Sequence, residues 1–160
     1  MNHSLSSNVS RTIQTRLVLP PDTNHLDTIF GGTVLSYIDE IAAITAMKHS
    51  KAAVVTASID TVNFLSSARV GDIVMLEAAV VATGNTSMEV YVKVECENLT
   101  TGERKLTTTS LLTMVAKDTD GKPTSVPGVI PQTEEEQQLF HESHERKLRR
   151  IKIKDSVGGK

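Results

Sequence analysis

Between residues 24 and 40 the chain reads NHLDTIFGGTVLSYIDE, and the residue types in this stretch suit acyl transfer to water. Asn24 and His25 place an amide and an imidazole ahead of Phe30-Gly31-Gly32, where an apolar run with helical spacing begins. The first N–H groups of a helix have no partner within it, and two glycines leave them sterically open. Such a helix start receives an oxyanion or a carbonyl gaining negative charge. A tight loop-to-helix turn that needs glycine for its own shape is the plainer reading of the same residues.

Asp39 is the second chemical element. At 100° per residue it lies about a quarter-turn from the centre of the apolar stripe of Val34, Ile38 and Ile41. Its neighbours one and two turns away are Gly32, Leu35, Ser36, Ala42, Ala43 and Ala46, nearly all small, so a ligand or another backbone can approach closely. A partly desolvated carboxylate at such a boundary has the makings of a general base, whereas a surface aspartate beside Glu40 is the alternative. Other chemistries find no support. There is no phosphate-binding loop and no GxSxG elbow, and the histidines of His141-Glu142-Ser143-His144 are spaced three apart rather than the four of a zinc-binding helix, so no metal site is expected.

These residues need a scaffold, and 160 residues suffice for one domain that buries roughly 70% of its extended surface. Aromatic residues are 3% of the chain, too few for base-stacking platforms, and the net charge of −2 gives no electrostatic case for nucleic acid or an anionic membrane. No run of 18 apolar residues offers a span, and Met1 to Arg16 lacks the apolar centre of a signal peptide. One cysteine, Cys96, excludes an internal disulfide and a Cys-rich zinc site, which points to a reducing compartment and hence the cytoplasm.

Along the chain, residues 1–10 read as a loose leader. A strand is expected from Thr12 to Leu19, with Ile13, Leu17 and Leu19 as its apolar side and Thr12, Gln14 and Arg16 opposite, before Pro20-Pro21 ends it. A loop to Phe30 leads into a helix from Gly31 or Gly32 to His49. Val/Thr/Ile-rich segments then span Ala53–Leu65, Asp72–Thr83, Thr86–Asn98 and Arg104–Lys117, and in the third of them Met88, Val90, Val92 and Val94 alternate with polar residues. Turn formers at Gly71-Asp72, Gly84-Asn85 and Thr101-Gly102 predict an antiparallel meander of the last three. The order βαββββ predicts an α+β domain over residues 11–117, one long helix covering the concave face of a five-stranded antiparallel sheet. Its open edges predict pairing with a second copy. Residues 118–132 read as a proline-rich linker, and residues 133–160 as a charged C-terminal helix and tail, opened by a Thr133/Glu136 capping box. Its basic far end reads either as a solvated helix matched to its dipole, or as a surface for a phosphorylated ligand or another subunit.

The runs PPDTNHLDTIFGG, LSYIDEIAA and VVTASIDTVNF, the Val-Gly-Asp turn at Val70–Asp72 and the strand TSMEVYVKVE together resemble the hot-dog-fold acyl-coenzyme A thioesterases of the brain-type acyl-CoA hydrolase group and its small bacterial relatives, over about Arg11 to Lys117. The resemblance implies hydrolysis of fatty acyl-CoA to free fatty acid and CoA, with CoA entering only as part of the substrate and no separate cofactor. It implies dimers joined edge to edge, assembled further into tetramers or hexamers, with active sites at the dimer interface. The family's catalytic asparagine falls on Asn24 and its aspartate on Asp39, supplied by opposite subunits, while the helix start at Gly31 and Gly32 polarises the thioester carbonyl and the Gly32 amide holds the oxyanion. Thr56 and Ser58 would flank the pantetheine arm, Arg69 or the basic tail would meet the phosphates, and Tyr37 and Phe64 would border the far end of the acyl tunnel. One position departs from the pattern: Asp27 stands where relatives carry glycine. Two other classes stay open, a hot-dog 3-hydroxyacyl thioester dehydratase using His25 with Asp39, and a non-catalytic acyl-CoA sensor.

Overall fold

The computed structural model describes residues 3–158. Its centre is the helix that the apolar spacing predicts. Helix α1, Gly31–Ser50, buries Val34, Ile38, Ile41, Ala42, Thr45, Ala46 and His49, and ends where Lys51 turns into the left-handed region (φ 58°) and its N–H bonds the Met47 carbonyl at 2.8 Å. Five strands wrap it: β2 (Thr12–Leu17), β3 (Ala53–Phe64), β4 (Ile73–Thr83), β5 (Ser87–Glu97) and β6 (Arg104–Lys117), in the antiparallel order β2-β4-β5-β6-β3. The meander β4-β5-β6 is the expected one, and β2 and β3 are the two edges.

The alternation of β5 sorts the faces of the sheet. Met88, Val90, Val92 and Val94 pack into the aliphatic core with Ile38, Ile41, Leu76, Leu112 and Met114. Glu89, Tyr91 and Lys93 point to the other face, which two further helices cover: α2 (Glu134–His141) and α3 (Ser143–Gly158).

Three points correct or go beyond what the sequence led one to expect. Residues 4–10 are not loose, because Ser4–Ser6 forms a strand, β1, that pairs in parallel with Gly128–Ile130, β7, while Ser7 and Ser10 are buried. The proline-rich segment thereby supplies the partner that the leader lacks locally, and buries Val126 and Val129. In β2 the apolar side faces outward, with Ile13 66% and Leu17 49% exposed, as is Leu19 beyond the strand end. Gln14 and Arg16 turn inward because the flank of α1 beneath them is polar: Arg16 pairs with Glu40 and stacks over the Tyr37 ring, 4.2 Å from its centroid.

The tail is the third. Thr133 caps α2 as expected, accepting from the Glu136 N–H at 3.1 Å, but the basic residues are not all solvated. Arg146 grips both carboxylate oxygens of Glu89 at 2.9 Å, and Arg150 reaches Glu89 at 2.8 Å and Asp60 at 3.0 Å. Arg11 joins Glu136 of α2 to Glu77 of β4, both at 2.9 Å. Desolvation and the neighbouring Glu135 push the Tyr91 phenol up to about 12, so it stays protonated and donates to Glu135 at 3.2 Å.

Arg146 and Glu89 are both buried, so removing one charge strands the other. Arg146→Ala is expected to cost about 3 kcal/mol or more in denaturant unfolding, against less than about 1 kcal/mol for the exposed neighbour Lys147→Ala. Equal costs would contradict the buried pair. Glu136 gives a pH signature. Burial pushes its carboxyl up, but hydrogen bonds from Ser7, Thr133 and Arg11 and the charge of Arg11 outweigh burial and hold it below its ordinary value. Its contribution is therefore present at neutral pH and lost as pH falls through the depressed folded value. Glu136→Gln should lower the thermal midpoint at pH 7 and flatten its decline on the acid side; an acid decline as steep as in the parent chain would contradict this.

Candidate active site

The loop before α1 is folded around Asn24. Its backbone N–H bonds the Thr28 carbonyl at 2.8 Å, and its side-chain Oδ1 accepts from the Leu26 N–H at 2.9 Å, the Thr28 N–H at 3.3 Å and the Thr28 hydroxyl at 3.1 Å. With the oxygen committed to the loop, the amide NH2 is the part of Asn24 left to donate outward. Asp27 sits at the tip with φ 60°. That left-handed conformation is one glycine adopts freely, and glycine is the residue the resemblance leads one to expect here. Aspartate is among the residues that tolerate it, and its side chain is exposed. The loop is anchored by an antiparallel bridge from Thr28 to Arg69 and by the Ile29 N–H on the Ala68 carbonyl at 2.9 Å, which brings Arg69 to the site.

At the helix start, the Thr33 and Val34 N–H groups turn back to the Phe30 carbonyl at 3.1 Å. Those of Gly31 and Gly32 have no acceptor among the described residues. Neither glycine has a positive φ, so the turn itself does not require them. At Gly31 space does, because a Cβ there would lie 3.3 Å from the Phe64 ring; at Gly32 a Cβ would meet nothing within 4 Å, so packing does not require glycine and the surroundings of this residue are open.

Thr56 donates its hydroxyl to Asp39 Oδ1 at 2.6 Å. The pair stands beside the open edge β3, with Asp39 half-buried and Thr56 exposed. A register shift between Thr56 and Ser58 ends their common face. Ser58 instead bonds Asp60 at 3.2 Å, in the cluster that Arg150 joins on the outer face. The structure thus brings Thr56 to Asp39 and Phe64 to Gly31, and separates Ser58 from both. His25 is exposed, with no side-chain bond among the described residues. The Thr56–Asp39 contact is the element sequence reasoning missed, since it crosses from helix to strand and leaves no local periodicity to detect.

Within one chain these parts form two groups. Gly32 and Asp39 are two turns apart on a straight helix, about 10 Å at 1.5 Å per residue. Asn24, the helix start, Phe64 and Arg69 gather at one end of α1, and Asp39 with Thr56 further along it. Among the described residues no group of three or more His, Cys, Asp and Glu is placed to hold a metal, and no helix is long and apolar enough to cross a membrane.

Against known proteins, residues 26–103 match the Thioesterase superfamily. The uncharacterized acyl-CoA thioester hydrolase YkhA of Bacillus subtilis is 50% identical over 137 residues, covering 86% of this chain and 80% of that protein. An apo-hexameric acyl-CoA thioesterase superposes with a TM-score of 0.91 at 66% identity, over 94% of this chain and 97% of the other. An acyl-CoA hydrolase from Staphylococcus aureus, solved with butyryl coenzyme A, coenzyme A and coenzyme A disulfide, superposes with a TM-score of 0.88 at 43% identity over 97% of both chains. That hydrolase has also been solved with an asparagine, an aspartate or a threonine changed to alanine. A helix wrapped by a five-stranded antiparallel sheet, and a relative half identical over most of both chains, lead to one conclusion: this chain belongs to the thioesterase superfamily, with the hot-dog fold of its acyl-CoA thioester hydrolases.

Proposed function

We propose that the chain hydrolyses fatty acyl-CoA to a free fatty acid and CoA, at sites shared between two copies joined along β3. The observation that carries this reading is the Thr56–Asp39 pair at 2.6 Å, set beside an unpaired strand edge and about 10 Å along α1 from the open Gly32 N–H. A second copy across that edge supplies what each half-site lacks. Supporting it, the asparagine, aspartate and threonine replaced in the Staphylococcus aureus hydrolase stand in the same order and at the same spacings as Asn24, Asp39 and Thr56.

In this mechanism the Thr56 hydroxyl orients the Asp39 carboxylate, which takes a proton from water as the water oxygen bonds to the thioester carbon. The carbonyl oxygen becomes an oxyanion held by the Gly32 N–H of the other copy, at the positive end of α1. The Asn24 NH2 positions the water or the carbonyl. Collapse of the tetrahedral adduct breaks the carbon–sulfur bond, the thiolate leaves as CoA, and Asp39 returns its proton. A thioester is already an activated acyl group, so no metal or cofactor enters the scheme. Phe64, against Gly31, walls the acyl side in this reading, and Arg69, bridged through its backbone to the Asn24 loop, is its cation for a phosphate of CoA. Ser58 is left out, because its hydroxyl serves Asp60. His25 is exposed and bonded to no site residue among the described residues, which favours hydrolysis over the dehydratase reading. Assembly of dimers into tetramers or hexamers, a cytoplasmic location fitting the lone buried Cys96, and a place in fatty acid metabolism belong to the same reading.

With palmitoyl-CoA and a thiol-trapping dye, the protein should release free CoA. Asp39→Ala should lower kcat by about 10²-fold or more, and Thr56→Val by a smaller factor carried in kcat rather than KM, as befits a positioning residue. Undiminished turnover in Asp39→Ala would overturn the assignment, and enoyl product without CoA release would replace it with a dehydratase. A series of CoA esters of increasing chain length, read as kcat/KM, should show a preference that shifts in Phe64→Ala; an unchanged profile would remove Phe64 from the acyl wall.

A further inference from the structure

Helix α3 docks on its own sheet through one stripe, leads from β5 toward the edge strand β3, and leaves its last two turns exposed. Arg146 sits on Glu89 of β5, and Arg150, one turn on, reaches Glu89 and also Asp60 of β3. Strand β3 is the last of the sheet, with no strand paired beyond it among the described residues. At 100° per residue, Arg146, Arg150, Ile153 and Val157 fall within an arc of about 60°, so the face that meets the carboxylates continues as an apolar one. Every residue from 151 to 158 is exposed, Ile153 at 57% and Val157 at 84%. Those two turns extend about 12 Å at 1.5 Å per residue, and strands lie about 4.8 Å apart, so the overhang spans the width of two further strands.

A stripe charged where its own carboxylates lie beneath, and apolar where its own sheet has ended, fits a sheet that continues past β3. We propose that the last two turns of α3 are an intersubunit clamp, with Ile153 and Val157 seated on the outer sheet face of a second copy beside that copy's β3. The inference rests on the pairing along β3 proposed above. In each copy the register pair Thr61 and Leu111 lies next to Leu112, whose side chain is in the core, so it faces outward and provides an uncharged landing surface. Because β3 also carries Thr56, the clamp fixes the strand that presents Asp39's partner, and so aligns one copy's carboxylate with the other's helix start.

Hydrogen exchange and sedimentation on the full chain test this. In the assembled protein the amides of residues 151–158 should be protected. The double variant Ile153→Asp/Val157→Asp should lose that protection and dissociate at a protein concentration at least about tenfold higher, with hydrolysis falling as subunits separate and the far-ultraviolet helix signal of the fold retained. Exchange at 151–158 as fast as in a free peptide, or a variant that dissociates at the parent concentration, overturns the clamp while leaving the shared site intact. A parent chain that hydrolyses acyl-CoA as a monomer at every concentration overturns the shared site and the clamp together. Protection that arises only on adding phosphatidylserine vesicles assigns Ile153 and Val157 to a lipid surface and also overturns the clamp.

Discussion

A straight α-helix rises 1.5 Å per residue, and that spacing governs the chemistry of this chain. It sets residue 39 about 10 Å along the axis from Gly32 at the start of the same helix, so the proposed mechanism draws the carboxylate and the helix-start N–H of each site from different copies. The helix cannot bend to bring them together, because Val34, Ile38, Ile41 and Ala42 pack along its length against the sheet. In the proposed mechanism the site is therefore composite, and the β3 edge beside Asp39 and Thr56, unpaired among the described residues, is where its complement enters.

The two faces of the sheet divide the labour. The inner face is aliphatic and supplies the burial that a chain with few aromatic side chains needs. The outer face is tied down by Arg11, Arg146 and Arg150 on Glu77, Glu89, Glu136 and Asp60. Ion pairs buried in this way add little net stability compared with an apolar replacement, but their geometry admits few alternatives. They set the direction in which α3 crosses the strands, and therefore where its apolar end emerges.

Much of this is legible in the residues. The 3.6-residue spacing of α1, the alternation of Met88 through Val94 and the turn formers between strands give the fold, and Asn24, Gly31, Gly32 and Asp39 announce themselves by chemistry and position. What escapes the sequence is contact at long range. The β1–β7 pairing involves three residues on each side, too few for a period to emerge. β2 alternates cleanly, but alternation does not say which side meets the helix, and here Tyr37 and Glu40 make the polar side the inner one. The bulge after Thr56 reverses the face of Ser58, and no residue type marks it. Arg146 and Arg150 look like any basic helix end until Glu89 and Asp60 are placed beneath them.

Subunit complementation tests the composite site most directly. Asn24→Asp keeps the oxygen that closes the loop but loses the NH2, and Asp39→Asn keeps the acceptor for Thr56 but loses the base. Each alone should be nearly inactive. If two copies share each site, co-expressing the two variants produces mixed dimers with one wholly native and one doubly altered site, and turnover should recover to about a quarter of the parent value for random pairing. Mixed dimers no more active than either variant alone would contradict the shared site.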